Sequence, residues 1–472
     1  MPDRISIGAH EDDSVNHFIH RIWKALSFEG DYESTRFLAP EITGNGALTS
    51  AFAVTSLATA SIASAGMALS ELISLSDNNA PKVKVDRRLS SFWFASSVRP
   101  IGWSLPPSWD AIAGDYQTSD GWIRLHTNAP RHREAALAVL GTNADKTSVA
   151  KAVCKWSSDE LENAIVDMRG CAAAMKDRNT WLQHAQGKAV GEEPLVHRIS
   201  HLAETKKNRK IDPHRPLHGV KVLDLTRIIA GPVATRFLAG YGAEVLRLDP
   251  PGWDEPSLLA ELTIGKRCAR LDLKNAEDRR QFEQLLREAD VLVHGYRANA
   301  LESLGLGTER RRQINPSLID VSLNAYGHSG PWRNRRGFDS LVQMSCGIAD
   351  AGMRHYGKTL PTPLPVQALD HATGYMMAAA VIRGLSQRHS HRTGSEMRLS
   401  LARTAELFIA GSHHPRQEIS FSGESEKDHS LKVENTIWGT SQRLLPPLEI
   451  VEAPMQWSTS AGNLGTVRAT WS

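Results

Sequence analysis

The sequence predicts an α/β protein whose second half forms a doubly wound parallel sheet and whose first half supplies a smaller α+β domain. Three observations carry this expectation. From Gly219 onward, apolar strands alternate with helical segments at the spacing of parallel crossovers. In the first half, Asp120-Gly121 lies between YQTS and WIRLHTN as a hairpin turn, with helical segments after it. Between the halves, ETKKNRKIDPHRP is polar, basic and proline-containing, the composition of a linker over 204–216.

The elements of the second half follow in order. GVKVLDLT (Gly219 to Thr226) is an apolar strand; the turn from Arg227 to Pro232 and the helical VATRFLAGYGA follow, with Pro232 expected at the first helical position. EVLRLD, ending at Asp249, is the second strand, and RLDL (Arg270 to Leu273) is taken as the third. A helix from about Ala276 to Ala289 is capped by Asn275, with Asp278 three residues on. The strand DVLVHGY, short helices around Leu301 and in ERRRQIN, and the strand LIDVSLNAYG (Leu318 to Gly327) complete the series. Ligands of such sheets bind beyond the carboxyl ends of the strands.

In the first half, RHREAALAVLG and SSDELENAIVDM read as helices. The run from Gly46 to Ile73 is rich in Ala, Ser and Thr, which suits a close-packed buried helix better than a membrane span. A helix leading into a strand recurs around Ala63 to Leu89 and around Ala378 to Leu401, as a degenerate duplication or as two generic passages.

Composition narrows the function. The 472 residues carry 55 Lys and Arg against 52 Asp and Glu, and a net charge of +3 argues against a nucleic-acid partner. The length suits about three domains, and 41% hydrophobic residues can fill a large core. Cys154, Cys171, Cys268 and Cys346 lack metal-ligand spacing and read as cytosolic thiols. Met1 to Asp13 has no apolar leader core, so a cytoplasmic chain without a membrane partner is expected.

Chemical motifs narrow it further. The first strand–helix turn holds only Gly231 where a dinucleotide site needs G-x-G-x-x-G, and neither a Walker loop, G-x-S-x-G nor H-E-x-x-H occurs. No metal site is expected: His389, His391, His413 and His414 read as solvated loop histidines. Asp370 precedes a long Ala-rich helix, where it can serve as N-cap; the same helix field can keep its carboxylate ionised as a nucleophile. Both roles stay open on these residues alone.

Five passages then carry a resemblance: GVKVLDLTRIIAGPVATRFLAGYGAEVLRLDPP, IGKRCARLDLKN, ADVLVHGYRANALESLGLG, INPSLIDVSLNAYGHSGPWRNRRGFDSLVQMSCGI and QALDHATGYMMAAAVIRGL. In this order, from His218 to about Leu407, the chain resembles the class III CoA-transferase family, which includes formyl-CoA and carnitine-type CoA transferases and α-methylacyl-CoA racemases. The resemblance implies a Rossmann-like large domain and CoA transfer between an acyl-CoA and a small carboxylic acid, with coenzyme A entering as thioester. It implies that Asp370, with Gly374 in the family's glycine position, attacks the thioester to form a mixed anhydride and then an aspartyl-CoA thioester. Asp339 would lie beside Asp370; its alternative is a surface acid paired with Arg335 or Arg336. The family likeness places CoA contacts at Arg227, Ile228, Lys266, Arg267, Lys274, Gly295, Tyr296, Arg297 and Arg336.

Racemases resembling this family carry a His directly before the acid that here is Asp339, and this chain has Gly337-Phe338-Asp339. Two-base proton exchange needs a second titratable group, so transfer is favoured; His328 is a poor substitute among turn residues. Racemisation or isomerisation remains the first alternative. A catalytically silent CoA-binding or assembly subunit is the second, prompted by the domain order and by Ile229 where some transferases carry a polar residue.

GDYQTSDGWIRLHTNAPRHREAALAVLG resembles the family's small domain, which usually follows the catalytic aspartate but here precedes it. The expected map is a truncated copy with the small domain over 1–203, a linker over 204–216, the catalytic large domain over 217–430 and a tail over 431–472. The first copy reads VTSLATAS where the second has its acid, so one nucleophile per chain is expected. Family members resemble interlocked homodimers; a fused chain forms either such a dimer or a pseudo-dimeric monomer that closes the ring alone.

Overall fold

Runs of Val, Leu and Ile with few polar interruptions make strands that are covered on both faces. In a computed structural model, which describes residues 9–28, 39–77, 79–203, 209–412 and 421–472, seven strands form the main sheet. They are β1 (His197–Leu202), β2 (Lys221–Leu225), β3 (Glu244–Asp249), β4 (Lys266–Arg270), β5 (Val291–His294), β6 (Ile319–Asn324) and β7 (Thr393–Ser400). Their order is β4-β3-β2-β5-β6-β7-β1, with every neighbouring pair parallel except β7 and β1. The chain thus winds outward from β2 to one edge, returns to the centre at β5 and winds to the other edge. Such a reversal opens a crevice beyond the carboxyl ends of β2 and β5.

Strand periodicity divides the cores. Val222, Val245, Val293 and Val321 join one cluster, and Leu223, Leu246, Leu248 and Leu292 join the other, with Phe282, Leu285 and Leu286 of the helix Ala276–Glu288. Four helices matter for the site: α1 (Val54–Asp77), α2 (Ala230–Gly240), α3 (Asp339–Ser345) and α4 (Ala368–His391). Helix α1 is long and apolar enough to cross a membrane, yet it lies almost wholly buried along α4. Both are 24 residues long. Each leads into a strand and then a helix, capped by Asp86 after the first strand and by Ser400 after the second. Counted from the helix starts, Ser56 occupies the place of Asp370.

Three local expectations are corrected. The third strand is Lys266–Arg270 rather than RLDL, because Cys268 and Ala269 pair inside the sheet while Leu271 and Leu273 enter the core after the strand ends. Helix α2 starts at Ala230, so Pro232 is its third residue, still within the turn whose N–H groups need no intrahelical acceptor. Asp370 is likewise the third residue of α4, and Gln367 takes the cap position.

The Asp120-Gly121 turn joins the antiparallel strands Gly114–Gln117 and Trp122–Leu125, and Ala172–Ala174 completes their sheet. Ile123, Leu125, Val149, Val153, Leu161 and Ile165 give this α+β unit its own core. It is fastened to the second half by buried Arg335, which donates to the Glu162 carboxylate at 2.7 Å and to the Ala172 carbonyl at 2.8 Å. Residues from the expected first half and tail also share sheets: Val83–Asp86 pairs with Leu448–Ile450, and Val98–Ile101 with Gly439–Leu444. Strand β1, from the first half, closes one edge of the main sheet. Residues 204–208 of the expected linker, and His413 and His414, lie outside the described residues.

Candidate active site

Asp339 and Asp370 come from separate helix starts and meet. Asp339 is the first residue of α3 and is fully buried, so its alternative as a surface acid is overturned; Arg335 pairs with Glu162 instead. The Asp370 backbone N–H donates to Asp339 Oδ2 at 2.9 Å, so the Asp339 carboxylate caps α4 from across the fold. Its other oxygen accepts from the Gln343 side chain, whose carbonyl accepts the Leu364 N–H at 2.7 Å. Among the described residues, no donor reaches the Asp370 carboxylate.

The electrostatics reverse one expectation. A helix N-terminus alone would keep Asp370 ionised, but burial, and second the charge of Asp339, push its pKa well above the ordinary carboxylate range. Burial raises Asp339 to about 6, against the opposing hydrogen bonds from Asp370, Gln343 and Leu369. Two adjacent buried carboxyls hold a proton between them more readily than either would alone.

Gly374 lies one helical turn beyond Asp370. A Cβ there would sit 2.4 Å from the Ala230 carbonyl oxygen and 2.9 Å from Val233 Cβ, so only glycine lets α4 cross the start of α2 this closely. Asp370, four residues before Gly374, shares that face of α4.

The expected CoA residues fall into two groups. Arg227, Ile228, Gly295, Tyr296 and Arg297 follow β2 and β5 and gather at the crevice. The Arg227 guanidinium lies 4.9 Å from the Trp253 ring and 5.4 Å from the Tyr296 ring, and it donates to the Tyr296 hydroxyl at 3.2 Å. Arg336 is half-buried on the loop before α3 and, like Arg297, has no carboxylate partner among the described residues. Burial lowers the Arg297 pKa first, and the charges of Arg336 and Arg169 lower it further, so these cations share one neighbourhood.

The other group lies elsewhere. Lys266 is fully buried, bonded to Asp224 at 3.0 Å and to the Pro232 carbonyl at 3.0 Å, and is a structural cation. Arg267 sits at the amino end of β4 against Glu244, the Thr470 carbonyl and Ser472, away from the carboxyl ends. Lys274 is exposed beyond β4.

Three neighbours carry no motif. Glu255 and Trp253 enter through the contacts of Arg227 and Ile228, and His126 arrives from the α+β unit, its ring 3.8 Å from that of Phe338 and tilted by 4°. His328 has its ring tied to the Leu399 carbonyl at 3.0 Å. Among the described residues, no three His, Cys, Asp or Glu side chains are grouped to hold a metal ion.

The family model for CoA-transferase family III matches residues 217–436, the span that carries the main parallel strands and both aspartates. Over residues 217–436 the chain is similar to CoA-transferase family III. An acyl-CoA transferase of Gibberella moniliformis is 28% identical over 299 residues, 58% of this chain and 52% of that relative. The succinyl-CoA:glutarate CoA-transferase of Mus musculus is 34% identical over 196 residues, 39% of this chain and 44% of its own length. A crystal structure of Rv3272 from M. tuberculosis, 31% identical, covers 40% of this chain and 56% of its own with a TM-score of 0.38. The chain spans about half the length of the curated relatives it matches.

Proposed function

We propose that this protein is a member of CoA-transferase family III and moves CoA from an acyl-CoA to a carboxylic acid, with Asp370 as covalent nucleophile. The observation that carries the proposal is the buried pair formed by Asp370 near the start of α4 and Asp339 at the start of α3. The Asp370 carboxyl accepts no hydrogen bond among the described residues, and in its ionised form, once the proton favoured by burial has left, it attacks the thioester carbonyl. CoA leaves as thiolate and the acyl group becomes a mixed anhydride on Asp370. Return of the thiolate to the aspartyl carbonyl releases the acyl group as a carboxylate and leaves an aspartyl-CoA thioester, which the acceptor acid consumes by the reverse steps. Asp339 holds the start of α4 in place through the Asp370 N–H and shares the pair's proton.

CoA would lie in the crevice between β2 and β5, with Arg227, Ile228, Gly295, Tyr296, Arg297 and Arg336 as its contacts. Cationic and aromatic groups there suit phosphates and a flat base. Lys266, Arg267 and Lys274 have no part in this proposal. The names of the relatives support acyl-CoA donors and carboxylate acceptors as the substrate classes. The α+β unit reaches α3 within the same polypeptide, which favours a site closed in one chain over one that borrows this unit from a partner. The cytoplasm is the proposed compartment.

Racemisation is the second activity to weigh, since His126 brings an imidazole to the face of Phe338. Burial lowers the His126 pKa to about 3, which makes it a weak base at neutral pH, so transfer remains favoured. Chromatography of acyl-CoA products, with acyl-CoA donors offered to mono- and dicarboxylic acids in deuterated buffer, tests both. Transfer predicts a new acyl-CoA and no deuterium at the α-carbon of the donor. Deuterium incorporation without a new acyl-CoA would replace it with racemisation, and neither product would leave the silent CoA-binding subunit.

A further inference from the structure

Ile228, directly after the crevice-forming strand β2, has a φ of 67°. A β-branched residue strongly disfavours this left-handed region, and such a conformation persists only where its surroundings hold it. The holder is Glu255. Its Oε2 accepts the Ile228 N–H at 2.9 Å and the Trp253 indole N–H at 3.3 Å, while Oε1 accepts from Arg247 at 2.5 Å. Fully buried Arg247 also grips Asp249 at 2.8 Å, and an Asp249 oxygen lies 3.9 Å from Arg227 Nε. Arg227 closes the ring by lying over Trp253.

A simpler role for Glu255 would be to cap the short helix Pro256–Leu262, whose N-cap position it occupies. Its side chain makes no cap bond there and reaches across to the neighbouring turn instead.

We infer that Glu255 is a positioning residue: its carboxylate locks the turn after β2 in its strained shape and so sets the Arg227 guanidinium between Trp253 and Tyr296 to meet a CoA phosphate. The inference rests on the assignment of Arg227 to CoA above. Glycine adopts a positive φ freely, so Ile228→Gly should make the lock dispensable, which a general loss of packing at Glu255 would not allow.

The test measures free CoA binding by calorimetry and deuterium uptake of the peptide holding Ile228, in the full chain. Glu255→Gln is expected to raise the CoA Kd about tenfold and to speed uptake at Ile228 without ligand. Adding Ile228→Gly is expected to bring the Kd back to within about threefold of wild type. Trp253→Phe, which deletes one donor to Glu255 while keeping an aromatic ring under Arg227, is expected to raise the Kd about threefold and serves if Glu255→Gln does not fold. An unchanged Kd in Glu255→Gln, or a raised Kd that Ile228→Gly leaves untouched, overturns the positioning role. Unchanged uptake at Ile228 in Glu255→Gln overturns the lock itself, independently of CoA. Absence of CoA binding by the wild type overturns the crevice assignment and, with it, the positioning role.

Discussion

Replacing Asp339 by Asn removes a proton-binding group without removing its size. Folding raises the Asp339 pKa from 3.8 to about 6, so between roughly pH 4 and 6 the folded chain keeps a proton that the unfolded chain has released. The sign follows: stability contributed by the protonated form is complete below pH 4 and is lost as pH rises through 6. At about 1.4 kcal/mol for each tenfold change in proton affinity, the loss amounts to about 3 kcal/mol for this residue. Asn does not titrate, and its neutrality also relieves Asp370. It cannot satisfy both the Asp370 N–H and the Gln343 donor, which lowers stability by about 1–3 kcal/mol at every pH. The difference in unfolding free energy between Asp339→Asn and wild type, from urea titrations, should therefore move in favour of the variant by about 3 kcal/mol between pH 4 and pH 7. A difference that stays flat with pH, or moves in favour of wild type, would refute a buried Asp339 that keeps its proton to about pH 6.

Further outcomes follow from the same geometry. The rate of CoA transfer should fall toward acid pH as Asp370, whose pKa is raised by burial and then by the charge of Asp339, takes up its proton, and Asp339→Asn should move that limb to lower pH; rate profiles across neutral and acid pH check this. Gly374→Ala puts a methyl 2.4 Å from the Ala230 carbonyl and should cost about 1–3 kcal/mol with a loss of transfer, read by urea midpoint and product formation. Arg335→Met leaves Glu162 buried and unpaired and should cost about 3–5 kcal/mol, whereas adding Glu162→Leu should recover most of it.

The sheet of the second half was legible because its strands are apolar runs set between amphipathic helices, and covered parallel strands demand that pattern. The β4 boundary was not: Lys266 and Arg267 break the apolar run, and their charges are absorbed by Asp224 on β2 and Glu244 on β3. The same contacts explain why two expected CoA cations lie away from the crevice, since a basic residue near a strand does not say which end it faces. Asp370 was a candidate through the family's motif, but its raised pKa comes from burial and from Asp339 arriving from another helix start. Glu255 and Trp253 had no local signal, because their place near Arg227 is fixed by the turn after β3 rather than by spacing. Pairing of Val83–Asp86 with Leu448–Ile450 joins segments from opposite ends of the chain, and no local pattern encodes it.

The most direct test of the central claim is mass spectrometry of the peptide holding Asp370 after the protein has been incubated with an acyl-CoA and quenched with hydroxylamine. An aspartyl-CoA thioester predicts a hydroxamate on Asp370, absent without acyl-CoA and absent from Asp370→Asn. An unmodified Asp370 across a broad panel of acyl-CoA donors, in a preparation that still forms new acyl-CoA, would contradict the covalent route.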